Sequence, residues 1–361
     1  MVKASLYFHF PFCTRKCPYC HFYVIPNRNH EPFLKALLKE WEMRLPQIED
    51  KEIASLYFGG GTPTLFVEGI EAILKRTSAP EITVETNPED VTLPLMEKLH
   101  NLGVNRVSIG VQSLNNPLLK HLGRSHTAQK AIDAIEITRR AGIENITIDL
   151  MYELPYQTLE TWEETVDKAC SLPITHLSLY NLTFEPHTVF KKKEKELRPH
   201  LPDEETATAM LNNAIIRFEK AGLKRYEISA FARNNQISVH NSGYWTGRPF
   251  LGYGPSAYSF FNGKRFRNIC HMNHYIKKIN EGSFPIDFEE ELPPLRSLHE
   301  KLAIALRLTE GISLPNIPLS TQKLLQELDR EGWLTYHADH AKLTEKGTLF
   351  YDTVAEKIIL L

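Results

Sequence analysis

Six short apolar runs, rich in β-branched and aromatic residues, recur along the first two thirds of the chain: ASLYFHF (4–10), IASLYFGGG (53–61), EITVETNP (81–88), RVSIGVQS (106–113), NITIDLMYELP (145–155) and THLSLYNLTFEP (175–186). Between them, apolar positions recur at helical spacing. In TAQKAIDAIEITRRAG (127–142), Thr127 suits an N-cap, Ala128, Ile132 and Ile135 share a face, and Gly142 stands just past the end. Residues 203–222 place Leu211, Ala214, Ile215 and Phe218 on one face. Strand and helix thus alternate six times, which predicts parallel strands joined by crossover helices. Six units are too few for an eight-unit barrel. The expected α/β fold is therefore an open or partial (βα)6 barrel, with a doubly wound sheet as the alternative. Both collect ligands at the C-terminal ends of the strands. The polar residues fall there: three cysteines after the first run, GGGTP after the second, then Glu85, Gln112, Asp149 and Asn181.

Past residue 222 the pattern changes. LKRYEISAFA (223–232) reads as one more strand, followed by the aromatic, Gly-rich HNSGYWTGRPFLGYGPSAYSF (240–260). LPP (292–294) marks a boundary. From Leu298 onward the pattern predicts helix, helix, the hairpin WLTYHADHAKLT and a last helix, a small helical or winged-helix-like domain. The expected division is a barrel over 1–235, a connecting region over 236–293 and a C-terminal domain over 294–361. The charge run KKKEKELRPH (191–200) reads as a solvated face.

Charge and composition narrow the function classes. A net charge of −2 gives no basic field, so nucleic acid is not an expected partner. No apolar run reaches the ~20 residues that span a bilayer, and MVKASLYFHF is too short before its first polar break for a signal peptide. A cytoplasmic location is expected, and there clustered cysteines are more often metal ligands or redox groups than disulfides.

Three of the five cysteines, Cys13, Cys17 and Cys20, fall within ten residues as C-x3-C-x2-C. Such thiolates hold zinc or iron–sulfur clusters. A structural zinc site wants four protein ligands. His21 would have to bend back sharply beside Cys20 to serve, and Cys170 and Cys270 lie far along the chain. Three thiolates suit a [4Fe–4S] cluster with one open iron, with zinc as the alternative. Gly59, Gly60 and Gly61 allow backbone to approach a ligand and offer N–H donors. Glu85, Gln112 and Asp149 suit ribose hydroxyls or an ammonium, and Arg124 a carboxylate. Together they describe a pocket for a ligand with an amino acid end and a nucleoside end.

These motifs resemble those of the radical S-adenosylmethionine (SAM) superfamily. YFHFPFCTRKCPYC, FGGGTPT, ETNPED, RVSIGVQSL, LGRSH, DLMYELPYQT, LSLYNLTFEP, HNSGYW and LRLTEGI are similar, in order, to its heme-chaperone group, paralogous to the oxygen-independent coproporphyrinogen III oxidases. The resemblance implies a radical-SAM barrel with a [4Fe–4S] cluster on Cys13, Cys17 and Cys20. It implies a SAM site made by Tyr7, Tyr19, Gly60, Gly61, Thr62, Glu85, Gln112, Arg124 and Asp149, with Asn181 at the adenosyl end. It also implies a heme site at His240, Asn241, Tyr244 and Trp245. The expected partners are heme and heme-acceptor proteins such as respiratory enzymes; peripheral membrane association through the acceptor and a homodimer stay open. Phe22 stands where the oxidase branch has a fourth cysteine, and the oxidase's N-terminal extension is missing ahead of the first run. Both favour the chaperone over an oxidase that decarboxylates coproporphyrinogen III; a different radical SAM enzyme is the third reading. The sequence departs from the group at His21, usually Asp, and at Glu153 and Tyr156, usually glycines.

Overall fold

The computed structural model describes residues 2–26, 30–314, 316–337 and 339–360. The six runs form six strands: β1 Lys3–Phe10, β2 Glu52–Gly60, β3 Glu81–Thr86, β4 Arg106–Gln112, β5 Asn145–Tyr152 and β6 His176–Asn181. They pair in chain order, each parallel to the next. Alternation explains why the strands look almost wholly apolar yet line a polar site. Leu6, Phe8, Phe10, Leu56, Phe58, Val84, Ile109 and Ile148 pack into the main core. The alternate residues Tyr57, Thr83, Glu85, Ser108, Thr147, Asp149 and Ser178 point inward and line a cavity.

The crossover helices obey local capping chemistry. Thr127 Oγ1 accepts from Lys130 N at 3.2 Å and starts helix Ala128–Arg140. Its fully buried face is Ala131, Ala134, Ile135 and Thr138, with Ala128 and Ile132 only half-buried beside it. Asp203 caps Glu204–Lys220, whose buried residues are Met210, Ala214 and Phe218; Leu211 and Ile215 lie at the margin. Gly142, at φ +94°, adopts the left-handed backbone that ends a helix.

Residues 223–232 differ from the single strand expected. They form an antiparallel hairpin of β7 Lys224–Glu227 and β8 Ala230–Ala232, turning at Ile228, whose carbonyl accepts from the Arg225 guanidinium. Beyond it come β9 Phe250–Tyr253, β10 Tyr258–Phe261, β11 Lys264–Asn268 and β12 Ile286–Glu291. β9 lies parallel to β1 on the side away from β2, and β10, β11 and β12 follow antiparallel. The result is one open sheet of twelve strands, ordered β12-β11-β10-β9-β1-β2-β3-β4-β5-β6-β8-β7. Its parallel centre is a partial barrel.

Helix Val239–Trp245 closes the end of this barrel where the strands begin. Both oxygens of Glu81, the first residue of β3, accept from its first amides, Val239 N at 2.8 Å and His240 N at 2.7 Å. The C-terminal residues pack around a core of their own, including Leu302, Leu306, Leu325, Leu328, Val354 and Ile358. Helices Pro294–Ala305, Leu319–Arg330, Glu345–Leu349 and Tyr351–Ile359 enclose it with a small sheet of β13 Ile312–Ser313, β14 Leu334–His337 and β15 His340–Leu343. Ala338, in the expected hairpin, lies outside the described residues.

Candidate functional site

The cysteines sit on a loop pinched shut at its neck. Ile25 N donates to Pro11 O at 2.7 Å and Cys13 N to Ile25 O at 3.3 Å. All three thiols are free, half-buried and aligned along one cavity of about 500 Å³ at the C-terminal ends of the strands. Burial pushes the Cys13 thiol up to about 11 and the Cys20 thiol upward as well, so the bare loop does not favour thiolates. A cationic metal group would reverse that balance. Among the described residues, no three His, Cys, Asp or Glu side chains converge on the position of one metal ion.

The second wall is the GGGTP turn. A Cβ on Gly61 would stand 2.5 Å from Phe12 O and 2.7 Å from Phe10 O, and one on Gly60 (φ +104°) would meet the His9 ring at 2.4 Å. Close packing and a left-handed backbone therefore account for these glycines. Their amides are already used: Gly60 N donates to Glu85 Oε2 at 3.1 Å and Gly61 N to Phe10 O at 2.8 Å. The expectation that Gly60 and Gly61 offer N–H donors to a ligand is corrected on this point. Thr62 Oγ1 lies 3.4 Å from Cys13 Sγ and accepts from Asn87 Nδ2 at 2.8 Å.

Glu85 and Asp149 stand on the inner barrel face. Glu85 Oε1 accepts from the Tyr57 hydroxyl at 2.7 Å. Burial pushes Glu85 up to about 7, with the charge of Asp149 adding to it. Burial pushes Asp149 up to about 6, against hydrogen bonds from Ser178 and Tyr180. Gln112 follows a register break after Ile109 and adopts φ +67°. It is buried in the cavity wall, and its Oε1 has no partner among the described residues. An orphaned acceptor held in strained backbone is a position where a polar ligand atom would bind. Arg124 spans the cavity's outer part: Nη2 donates to Asn87 Oδ1 at 2.6 Å and Gly110 O at 2.7 Å, and Nη1 to Cys17 Sγ at 3.5 Å.

Tyr19 and Asn181 also line the cavity; Asn181 Nδ2 donates to Glu153 Oε2 at 3.2 Å. Tyr7 does not line it: its hydroxyl bonds His9 Nδ1 at 3.0 Å behind the wall. The HNSGYW residues do not share one surface. Asn241 lines the cavity floor. His240 is buried beneath, with Nδ1 2.9 Å from Ser55 Oγ and Nε2 2.9 Å from the Tyr244 hydroxyl, and burial pushes it down to about 3. Trp245 faces the other way, into a groove of about 370 Å³ with Leu298 and Leu302, the Arg307 guanidinium 4.4 Å above its ring.

The residue-by-residue reading missed Asn87 and the group Glu89, Ser125 and His126, although ETNPED and LGRSH both stood out as motifs. Ser125 Oγ and His126 Nδ1 both bond the Glu89 carboxylate. Burial alone would raise Glu89, but these hydrogen bonds hold it down at about 2. The pair fastens the Arg124 loop to the end of β3.

A partial barrel carrying C-x3-C-x2-C on its first loop defines a class of protein, and the sequence model of the Radical SAM superfamily matches residues 7–169. The fold resembles that of E. coli coproporphyrinogen III oxidase (HemN), described as a radical SAM enzyme, with TM-score 0.85 over 99% of this chain and 90% of that one, at 23% identity. Curated relatives are nearer in sequence. Heme chaperone HemW of Bacillus subtilis is 35% identical over 97% of both chains. HemW of Escherichia coli is 30% identical over 99% of both. The mitochondrial radical S-adenosyl methionine domain-containing protein 1 of Danio rerio is 33% identical over 99% of this chain and 87% of its own. The chain belongs to the HemW family of radical SAM proteins. Membership in that superfamily implies a [4Fe–4S] cluster and SAM.

Proposed function

We propose that this protein is a heme chaperone: it binds heme and passes it to acceptor proteins such as respiratory enzymes, and it carries a [4Fe–4S] cluster and SAM. The observation that carries this reading is near-full-length identity to HemW proteins, joined to a cavity whose walls match the cofactors. Cys13, Cys17 and Cys20 would hold the cluster. Gln112 Oε1, Glu85 and Asp149 would meet the polar atoms of SAM, and Arg124 would keep its loop in register with Asn87. Cluster and SAM together supply one-electron chemistry when bound; the chain's part is to position them and limit water. Glu153 and Tyr156 hold left-handed backbone, φ +60° and +67°, at the two positions where the group usually has glycine. The β5 end thus takes left-handed backbone at both positions despite its bulkier residues.

Among the HNSGYW residues, Asn241 is the one that a ligand in the cavity would reach. His240 would have to give up Ser55 or Tyr244 before it could bind iron. The fold likeness to the oxidase keeps coproporphyrinogen III decarboxylation as the second reading. Among the described residues no helix is long and apolar enough to cross a membrane; peripheral association through the acceptor is the membrane contact this reading carries. The deciding experiment reconstitutes the cluster without oxygen and supplies coproporphyrinogen III, SAM and a reductant. No decarboxylated product, together with stoichiometric heme binding, is expected; product formation would overturn the chaperone reading.

A further inference from the structure

The mouth of the cavity carries side chains that neither the thiols nor the polar walls employ. His21 and Phe22 follow Cys20 and are both exposed, their rings stacked at 4.7 Å and 29°. Phe22 is 54% exposed, and among the described residues no Phe, Tyr or Trp is more so. None of the described residues hydrogen-bonds the His21 ring nitrogens. Lys16 Nζ donates to Phe22 O at 3.0 Å, which fixes an ammonium at the Phe22 backbone, and the exposed Arg15 stands on the same rim. Glu185 also lines it.

An exposed aromatic face offers a stacking surface to a flat macrocycle, and an imidazole with free nitrogens is a common axial ligand of heme iron. Guanidinium and ammonium groups pair with carboxylates such as propionates. The geometry points to this mouth as the heme-docking site: the macrocycle lies on Phe22, His21 ligates the iron, and Arg15 and Lys16 meet the propionates. This rests on the heme-chaperone reading and deepens it. An exposed ligand also suits hand-over. The bond from His21 nitrogen to iron breaks as one from the acceptor's ligand forms, without electron transfer and without opening the barrel. His240 offers neither access nor a free nitrogen.

The test titrates hemin into the full chain, cluster-reconstituted and not, following the Soret band and the low-spin iron EPR signal. His21→Ala is expected to weaken binding by roughly tenfold or more, with iron and sulfide content of the cluster unchanged and the low-spin signal restored by free imidazole. Arg15→Glu with Lys16→Glu is expected to weaken binding while leaving the Soret position unmoved. Phe22→Ser, a second route should His21→Ala fold poorly, is expected to act likewise. Wild-type affinity and spectra in His21→Ala would overturn the inference, as would loss of the axial signal in His240→Ala alone. Both results would leave the chaperone reading standing. No heme binding by the wild type would overturn both.

Discussion

Arg124 and Asn87 face each other at 2.6 Å across the outer cavity, joining the LGRSH loop to the end of β3. The same guanidinium donates to Gly110 O at 2.7 Å and reaches Cys17 Sγ at 3.5 Å. A planar fork holds these three acceptors in a fixed geometry that a rotatable ammonium does not reproduce. Arg124→Lys keeps the charge and loses the fork, so SAM affinity should fall by roughly tenfold while the chain stays folded. Anaerobic calorimetry with SAM on reconstituted protein checks this. Wild-type affinity in the variant would remove Arg124 from the SAM site.

The Glu85 carboxyl makes the ligand-free protein's stability depend on pH. It is raised from 4.5 to about 7 by burial. Between those values the folded chain keeps a proton that the unfolded chain has released, so this group's contribution worsens as pH rises through the window. Glu85→Gln removes that loss. The variant should match the wild type at low pH and exceed it near neutrality by about 1–2 kcal/mol, allowing for water in the cavity. Urea unfolding across the pH range reads the difference; a constant offset would show that Glu85 is not the titrating group.

Glu153 and Tyr156 pay a conformational cost at φ +60° and +67°. Tyr156 recovers part of it, since its ring lies between His121 at 4.6 Å and His200 at 4.3 Å, and its N–H donates to His200 O. Glu153 recovers less, through one exposed hydrogen bond to Asn181. Glu153→Gly should therefore stabilise the protein by up to about 1 kcal/mol. Tyr156→Gly should come out near neutral, because the stack is lost with the strain. Denaturant midpoints of the two variants test the contrast.

How much of this was legible in the sequence follows from the range of the interactions. The six strands were readable because each is a local pattern, and so was the rim, because parallel βα units bring strand ends together. Thr127 and Gly142 were readable as helix ends for the same reason. The pairing of β9 with β1 was not, since it joins residues 250–253 to 5–8 and leaves no local trace. Nor was the seat of His240, which depends on Ser55 and Glu81 meeting helix 239–245 across the barrel. The glycines were readable as required, but not why. Only the fold shows that Phe10 O, Phe12 O and the His9 ring fill the space a side chain would need. Glu89 and His126 lie inside recognisable motifs, yet their pairing across residues 89 to 126 is tertiary.

A buried carboxylate holds the extra strands to the barrel. Glu40, on helix Glu31–Ile48, is fully buried and accepts from Arg44 Nε at 3.0 Å, Asn268 Nδ2 at 2.8 Å, Gly254 N at 2.8 Å and the Tyr275 hydroxyl at 2.8 Å. Arg44, equally buried, lies over the rings of Phe266 and Phe284 at 5.1 and 4.9 Å. One carboxylate thus ties the first helix to the turn after β9, to β11 and to helix Met272–Asn280. Removing it leaves a buried guanidinium without its carboxylate and Gly254 N and the Tyr275 hydroxyl without an acceptor, so Glu40→Ala should cost about 3–5 kcal/mol. Replacing Glu40 and Arg44 together by Leu and Met removes the unpaired charge and should cost less than Glu40→Ala alone, though Gly254 N and Tyr275 still lose their acceptor. Equilibrium unfolding of the two variants measures this ordering. A double variant less stable than Glu40→Ala would show that Arg44 contributes through its stacked rings and not through its charge.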